Sequence, residues 1–139
     1  MSSQTIDMQG IRYLNLFEKI TGVRTKSCFP YNNYIVFAVP SSQMSRAIGE
    51  QGSNVKKIVS ILGRRIKIVS LPRENREIRR FVSEIVSPIT FKDLQIEDSE
   101  IVISGNRQSK ASLIGRNKVR LLELEKIIKE FLGKSLRII

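Results

Sequence analysis

The chain of 139 residues lacks histidine and tryptophan altogether, and its single cysteine is Cys28. Without histidine it cannot assemble the common zinc sites, a Ser-His-Asp or Cys-His site, or any histidine-based acid–base site. One cysteine cannot form an internal disulfide. We therefore expect a protein without catalytic activity, cofactor, bound metal or small-molecule substrate.

Long hydrophobic runs are also missing. No apolar stretch approaches the roughly 20 residues that a membrane-spanning helix needs. The first residues, Met1 to Thr5, do not form a basic segment followed by an apolar one, which is the pattern of a secretion signal. These absences predict a soluble, cytoplasmic protein.

Positive charge is abundant. The chain has 24 Lys and Arg residues against 13 Asp and Glu residues, a formal net charge of +11. Such a surplus concentrates phosphate polyanions at the surface, so it favours nucleic acid as a partner, with an anionic membrane as the other option. The same residues can serve only to solvate a surface, so composition alone does not decide between these interpretations.

The chain repeats itself. A shift of 66 residues places Ile35-Val36 on Ile101-Val102, and Ile48-Gly49 on Ile114-Gly115. Near the ends the match continues only if four residues are inserted in the second copy. Four residues are about one helical turn, so such an insertion keeps the apolar face of a helix in register. We expect two copies of one unit.

Each copy is predicted to run helix, strand, strand, helix, tight turn, helix, strand, which is an α+β pattern. The boundary falls at Leu71-Pro72-Arg73, giving one domain over residues 1–71 and another over 72–139. The uniformly apolar segment 34–39 predicts a strand covered on both faces. The predicted ranges are 8–21, 23–29, 34–39, 41–48, 53–62 and 65–70 in the first copy, and 74–86, 89–96, 100–104, 106–114, 118–132 and 135–139 in the second.

Turn and cap residues complete this prediction. A turn is expected over 30–33, with Tyr31 the tyrosine most exposed for stacking on bases. Ser41 and Ser53 are expected to cap the helices that they begin.

A glycine turn, Gly49-Glu50-Gln51-Gly52, separates the two central helices of the first copy. Two glycines at this spacing let the backbone turn tightly and approach a ligand closely. Backbone N–H groups at the start of the following helix attract phosphate oxygens. The spacing alone is common in ordinary helix-turn-helix connections, but here it follows a strand pair and recurs, in altered form, in the second copy.

The segment 47–58, from Ala47 to Ile58, resembles the core motif of a KH domain. The element order resembles the type II version, in which a three-stranded mixed sheet has helices packed on one face. Two such domains in so short a chain are similar to archaeal NusA-like transcription factors. The resemblance implies two type II KH domains (α-β-β-α-α-β) and a role in transcription elongation or termination, with single-stranded RNA and RNA polymerase as partners and no membrane.

The resemblance also implies where RNA is bound. In the first copy the contacts fall on Arg46, Ile48, Gly49, Glu50, Gln51, Gly52, Ser53, Asn54, Lys56 and Lys57, and in the second on Ile114, Gly115, Arg116, Asn117, Lys118 and Arg120. Both loops depart from the family pattern of basic residues between two glycines. Glu50 places a negative charge beside the phosphate position, and Lys118 replaces the second glycine.

Two interpretations of the second loop stay open: it binds RNA through Arg116, Lys118 and Arg120, or it has lost binding and serves as scaffold. The rival functions are a ribosomal or ribosome-assembly protein that uses the same KH unit, and a protein-interaction scaffold whose basic charge is only solubilising. Net charge favours RNA binding by the first copy, because residues 1–70 carry +7 and residues 71–139 carry +4.

Overall fold

The computed structural model describes residues 8–139, which divide into two compact units, the first ending at Arg73 and the second beginning at Glu74. Each unit holds one three-stranded sheet and three α-helices. The predicted α+β class is confirmed, as is the order helix, strand, strand, helix, helix, strand in each unit. Within these residues, no helix combines the length and the apolar character that crossing a bilayer requires.

The first unit is built around a mixed sheet. Its central strand, β2, pairs antiparallel with β1 and parallel with β3. The elements are α1 (Met8–Thr21), β1 (Ser27–Tyr31), β2 (Tyr34–Val39), α2 (Met44–Ile48), α3 (Ser53–Leu62) and β3 (Ile66–Ser70). Helix α1 covers the predicted range 8–21 and ends at Thr21 as predicted.

The hairpin between β1 and β2 is tighter than the sequence indicates. It closes at Asn32 and Asn33, whose φ values of 51° and 66° are the positive angles that a two-residue hairpin needs and that asparagine tolerates. The predicted strand at 23–29 and turn at 30–33 are therefore wrong in extent, because Pro30 and Tyr31 belong to β1. Proline is accommodated because β1 is an edge strand. Tyr31, expected to be exposed, is 1% exposed.

One face of this sheet packs against all three helices. Phe17 of α1 stacks on Phe37 of β2, with ring centroids 4.4 Å apart. Ala47 of α2 and Ile58 of α3 join the same core. All residues of β2 after Tyr34 are buried, which confirms the prediction that both faces of this strand are covered.

The second unit repeats the arrangement with a longer last helix. Strand β5 pairs antiparallel with β4 and parallel with β6. The elements are α4 (Ile78–Val86), β4 (Asp93–Ile96), β5 (Glu100–Ser104), α5 (Arg107–Ile114), α6 (Val119–Leu132) and β6 (Ser135–Ile138). Helix α6 has 14 residues where α3 has 10, so the predicted insertion of four residues lies inside a helix, as expected.

Two predicted ranges in the second unit are wrong. The first helix is not continuous over 74–86, because a separate 3-10 turn over Asn75–Glu77 precedes α4. The next strand begins at Asp93 instead of residue 89. Arg79 of α4 holds this connection, since its guanidinium donates to the carbonyl oxygen of Lys92 at 3.1 Å and pairs with the Asp93 carboxylate at 3.0 Å.

The predicted serine caps are also wrong. Pro40 and Gly52 occupy the positions before the helical turns that Ser41 and Ser53 begin, and neither end has a side-chain cap. A side chain caps α5 instead, because Asn106 accepts a hydrogen bond from the Ser109 N–H at 2.7 Å.

Candidate nucleic-acid interface

The turn between α2 and α3, residues 49–52, has a backbone path that depends on glycine at its first position. Gly49 has φ 81° and ψ 166°, a region that essentially only glycine occupies. Gln51 (φ 54°, ψ 31°) and Gly52 (φ 74°, ψ 20°) are left-handed, a conformation that other residues adopt at some energetic cost. The two glycines are therefore not equivalent.

Hydrogen bonds occupy two of the four N–H groups of the turn and the first N–H group of α3. Gly49 donates to Ser45 at 3.0 Å, Gly52 donates to the Gly49 carbonyl at 3.1 Å, and Ser53 donates to the Glu50 carbonyl. Among the residues that the structure describes, the N–H groups of Glu50 and Gln51 have no acceptor. Both residues are exposed, so these two N–H groups are the ones available to a phosphate.

The corresponding turn of the second unit, residues 115–118, has the same backbone. Gly115 has φ 76° and ψ 171°, Asn117 has φ 56° and ψ 25°, and Lys118 has φ 62° and ψ 22°. Lys118 thus takes the left-handed conformation that Gly52 has in the first unit. This conformation costs a lysine on the order of 1–2 kcal/mol. Replacement of the second glycine has left the turn itself unchanged.

The hydrogen bonds of the second turn match as well. Gly115 donates to Ala111 at 2.9 Å, Lys118 donates to the Gly115 carbonyl at 3.1 Å, and Val119 donates to Arg116. Arg116 and Asn117, both exposed, keep N–H groups that pair with no acceptor in the described part of the chain. Each unit therefore presents two adjacent N–H groups in the same geometry.

A side-chain hydrogen bond closes each helix pair, and the sequence prediction missed its role. The Asn54 amide donates to the Arg46 carbonyl at 3.0 Å, and Arg120 Nε donates to the Ser112 carbonyl at 2.6 Å. These residues are equivalent under the 66-residue shift, which was the signal that could have revealed the pairing. Asn54 and Arg120 hold α2 to α3 and α5 to α6.

The structure brings the predicted contact residues of each copy onto one segment of helix, turn and helix. In the first unit the exposed members are Arg46, Glu50, Gln51, Ser53, Lys56 and Lys57, and the half-buried ones are Ile48, Gly49, Gly52 and Asn54. In the second unit Arg116, Asn117 and Lys118 are exposed, whereas Ile114, Gly115 and Arg120 are half-buried. Arg46 reaches back to α1, because its Nη2 lies 2.9 Å from the position that a Cβ on Gly22 would occupy.

Three proteins named "Probable transcription termination protein NusA" match this chain. The one from Methanococcus vannielii is 27% identical over 92 residues, covering 66% of this chain and 51% of that protein. The one from Halococcus morrhuae is 26% identical over 101 residues, covering 72% and 70%. The one from Methanocaldococcus jannaschii is 25% identical over 133 residues, covering 93% and 71%. The chain is similar to archaeal NusA-like proteins.

The similarity to NusA-like proteins confirms the resemblance on which the sequence prediction rests. The match spans about half the length of the Methanococcus vannielii protein. No protein-family model matches the chain. A solved structure described as "Crystal structure of APE1850" has the same fold, with a TM-score of 0.66 and 23% identity, covering 96% of this chain and all of that one.

A second cationic group, in the first unit, was not predicted. The guanidinium carbon of Arg65 lies 4.8 Å and the ammonium of Lys67 4.7 Å from the centroid of the Tyr34 ring. Burial lowers the pKa of Lys67 below its ordinary value of 10.5. Arg65 directly precedes β3 and lies two residues before Lys67, so an extended backbone places both side chains on the same side, which is the signal the sequence offered.

Proposed function

We propose that the chain is a single-stranded RNA-binding protein that acts as a NusA-like factor in transcription elongation or termination, without catalysing a reaction. The observation that carries this proposal is the pair of exposed, unoccupied N–H groups in each turn, at Glu50 and Gln51 and again at Arg116 and Asn117. The names of the relatives, which describe a transcription termination protein, support the proposed role in transcription.

Phosphate is the chemical group that these turns suit. Two adjacent N–H groups can donate to the oxygens of one phosphate, and each pair immediately precedes the positive end of a helix dipole, that of α3 or α6. The N–H groups carry no sequence information, so they would hold the RNA backbone while neighbouring side chains such as Ile48 contact bases.

The proposal includes the organisation of the molecule. Residues 1–71 and 72–139 would each form a KH domain, and the break between the two compact units, after Arg73, lies close to this boundary. RNA polymerase is the proposed protein partner, and the cytoplasm is the proposed location. Co-purification with RNA polymerase supports this role, whereas co-sedimentation with ribosomal particles would replace it by the ribosome-assembly role.

The direct test is the affinity of the full chain for a fluorescent single-stranded RNA, measured by anisotropy at several salt concentrations. We expect log K to fall linearly with log salt, with a slope of about −0.7 for each phosphate neutralised. The double variant Gly52→Asp, Lys118→Asp places a carboxylate beside both pairs of N–H groups and should abolish binding. Gly49 is not a suitable position, because a Cβ there would lie 2.9 Å from the Asn54 backbone nitrogen.

A matched control exists at the other ends of the same helices. Gly63 and Gly133 are left-handed like Gly52, with φ 67° at both, and a Cβ at either would meet nothing within 4 Å. The double variant Gly63→Asp, Gly133→Asp therefore introduces the same residue at two left-handed positions away from the turns. It should retain most of the affinity. An equal loss of RNA affinity in both double variants would show that the turns are not the RNA-binding site. Binding that does not respond to salt would contradict phosphate binding by the turns.

A further inference from the structure

The two turns differ in charge although they share a backbone. The first has one carboxylate, Glu50, and no basic side chain, whereas the second has Arg116 and Lys118 and no acidic one. All three side chains are exposed. Because the N–H geometry is the same in both turns, side-chain charge is the main difference that a phosphate would meet there.

The two cations of the second turn are not neutralised by neighbours. No carboxylate of residues 8–139 lies within 4.0 Å of the charged groups of Arg116 or Lys118. Arg120, the third basic residue of this segment, has its Nε occupied by the Ser112 carbonyl. The charge available at the second turn is therefore that of Arg116 and Lys118.

We propose that the second turn, residues 115–118, is the principal phosphate-binding site of the chain, even though it lacks the second glycine. This inference rests on the proposed RNA-binding function. In this inference, Arg116 and Lys118 make charge-assisted contacts with the phosphate in addition to those of the two N–H groups. The Lys118 side chain does not obstruct the turn, since a Cβ at the equivalent position, Gly52, would meet nothing within 4 Å. The first turn holds RNA more weakly, because Glu50 repels a phosphate there.

One feature favours phosphate binding at the first turn instead. The basic residues Lys56 and Lys57 are exposed on α3, about one helical turn beyond residues 49–52. At their place in the second unit stand Leu122 and Glu123, with Leu122 58% exposed. Attraction between exposed charges weakens with distance and with salt. Cations within the turn itself therefore contribute more to holding the phosphate at the N–H groups than Lys56 and Lys57 do.

Exchanging the turns tests this inference. Variant A, Arg116→Glu with Asn117→Gln and Lys118→Gly, gives the second turn the sequence of the first. Variant B, Glu50→Arg with Gln51→Asn and Gly52→Lys, gives the first turn the sequence of the second. The combined variant AB has the composition and net charge of the natural chain, so it is the matched control for overall charge.

We expect variant A to bind single-stranded RNA at least about tenfold more weakly, because charge-assisted hydrogen bonds are lost. Its salt slope should become shallower by up to about 1.4, since two cations are removed at about 0.7 for each phosphate neutralised. Variant B should bind at least about threefold more tightly, and AB should recover most of the affinity that A loses. Thermal unfolding of each variant, followed by circular dichroism, establishes that the fold is kept.

The outcomes separate the two proposals. If A and the natural chain bind equally, or if B binds more weakly, the inference is overturned while RNA binding at the turns stands. If A loses affinity and AB does not regain it, turn charge is not the determinant, and the inference is again overturned. If the double variant Gly52→Asp, Lys118→Asp binds like the natural chain, the turns are not the site and both proposals fail.

Discussion

At the scale of single residues, the two glycine positions of each turn are held by different constraints. Gly49 and Gly115 combine φ near 80° with ψ near 170°, and no other residue type takes this conformation readily. Gly52 and Lys118 are left-handed, which a side chain tolerates at moderate cost. This difference explains why the second copy keeps its first glycine and replaces its second.

A pair of alanine substitutions should reveal this difference. Gly49→Ala forces a Cβ to within 2.7 Å of Ser53 Oγ and 2.9 Å of the Asn54 nitrogen, so we expect a loss of about 3 kcal/mol of stability. Gly52→Ala meets nothing within 4 Å and should cost only about 1 kcal/mol. Urea unfolding of both variants measures the difference between their stability losses. Equal losses would contradict the conclusion that only the first position requires glycine.

Lys67 gives a pH-dependent prediction. Burial lowers the pKa of Lys67 below 10.5, so the unfolded chain binds more protons than the folded one between the lowered pKa and 10.5. Stability contributed by this residue therefore rises with pH across that window. We expect Lys67→Met to stabilise the protein at neutral pH, with the gain shrinking as the pH rises toward 10.5.

The measurement is urea unfolding of the natural chain and the variant from pH 7 to 10.5. Lys56→Met, which removes an exposed lysine from α3, controls for the loss of one surface charge. A gain from Lys67→Met that stays constant over this range would show that the residue does not act through its titration.

At the scale of elements, the extents of helices were more accessible to sequence reasoning than their caps. The periodicity of apolar residues located α1 up to its end at Thr21 and the extra turn of α6, because a buried face repeats along the whole helix. Serine at a helix start is only a statistical signal for a cap, and the backbone entering α3 turns through left-handed Gly52, which leaves Ser53 already inside the helix.

The side-chain cap of α5 supplies a stability prediction. Asn106→Ala removes the acceptor of the Ser109 N–H, so it should cost about 1 kcal/mol. Ser41→Ala, at a helical turn without a side-chain cap, should change stability by less than about 0.5 kcal/mol. Thermal or urea unfolding measures both stability losses. A larger loss for Ser41→Ala than for Asn106→Ala would contradict the assignment of Asn106 as the cap.

The predicted limits of strands β1 and β4 were wrong for a related reason. Pro30 was assigned to a turn because proline is poor in sheets, but β1 lies at an edge where its missing N–H is not needed. Residues 89–92 look like a strand by composition, yet the paired strand begins at Asp93, after Lys92, whose N–H donates to the Ser104 carbonyl and whose carbonyl accepts from Arg79. Contacts between distant elements set these limits, and local sequence does not record them.

At the scale of the whole molecule, the repeat was the most informative feature of the sequence. The repeat locates both turns and most of their surroundings from the sequence alone. It did not show which N–H groups remain after the turn has made its own hydrogen bonds, because that depends on the dihedral angles of Gln51 and Asn117. Nor did it show that the Lys118 turn keeps the path of the Gly52 turn.

The most direct test of RNA binding by these turns is a titration of the ¹⁵N-labelled chain with single-stranded RNA, followed by amide chemical shifts. The N–H signals of Glu50, Gln51, Arg116 and Asn117 should move most, because these four groups have no acceptor within residues 8–139. The N–H groups of Gly52 and Lys118, already bonded, should move less. Shifts concentrated elsewhere, with these four signals unmoved at saturation, would contradict the account.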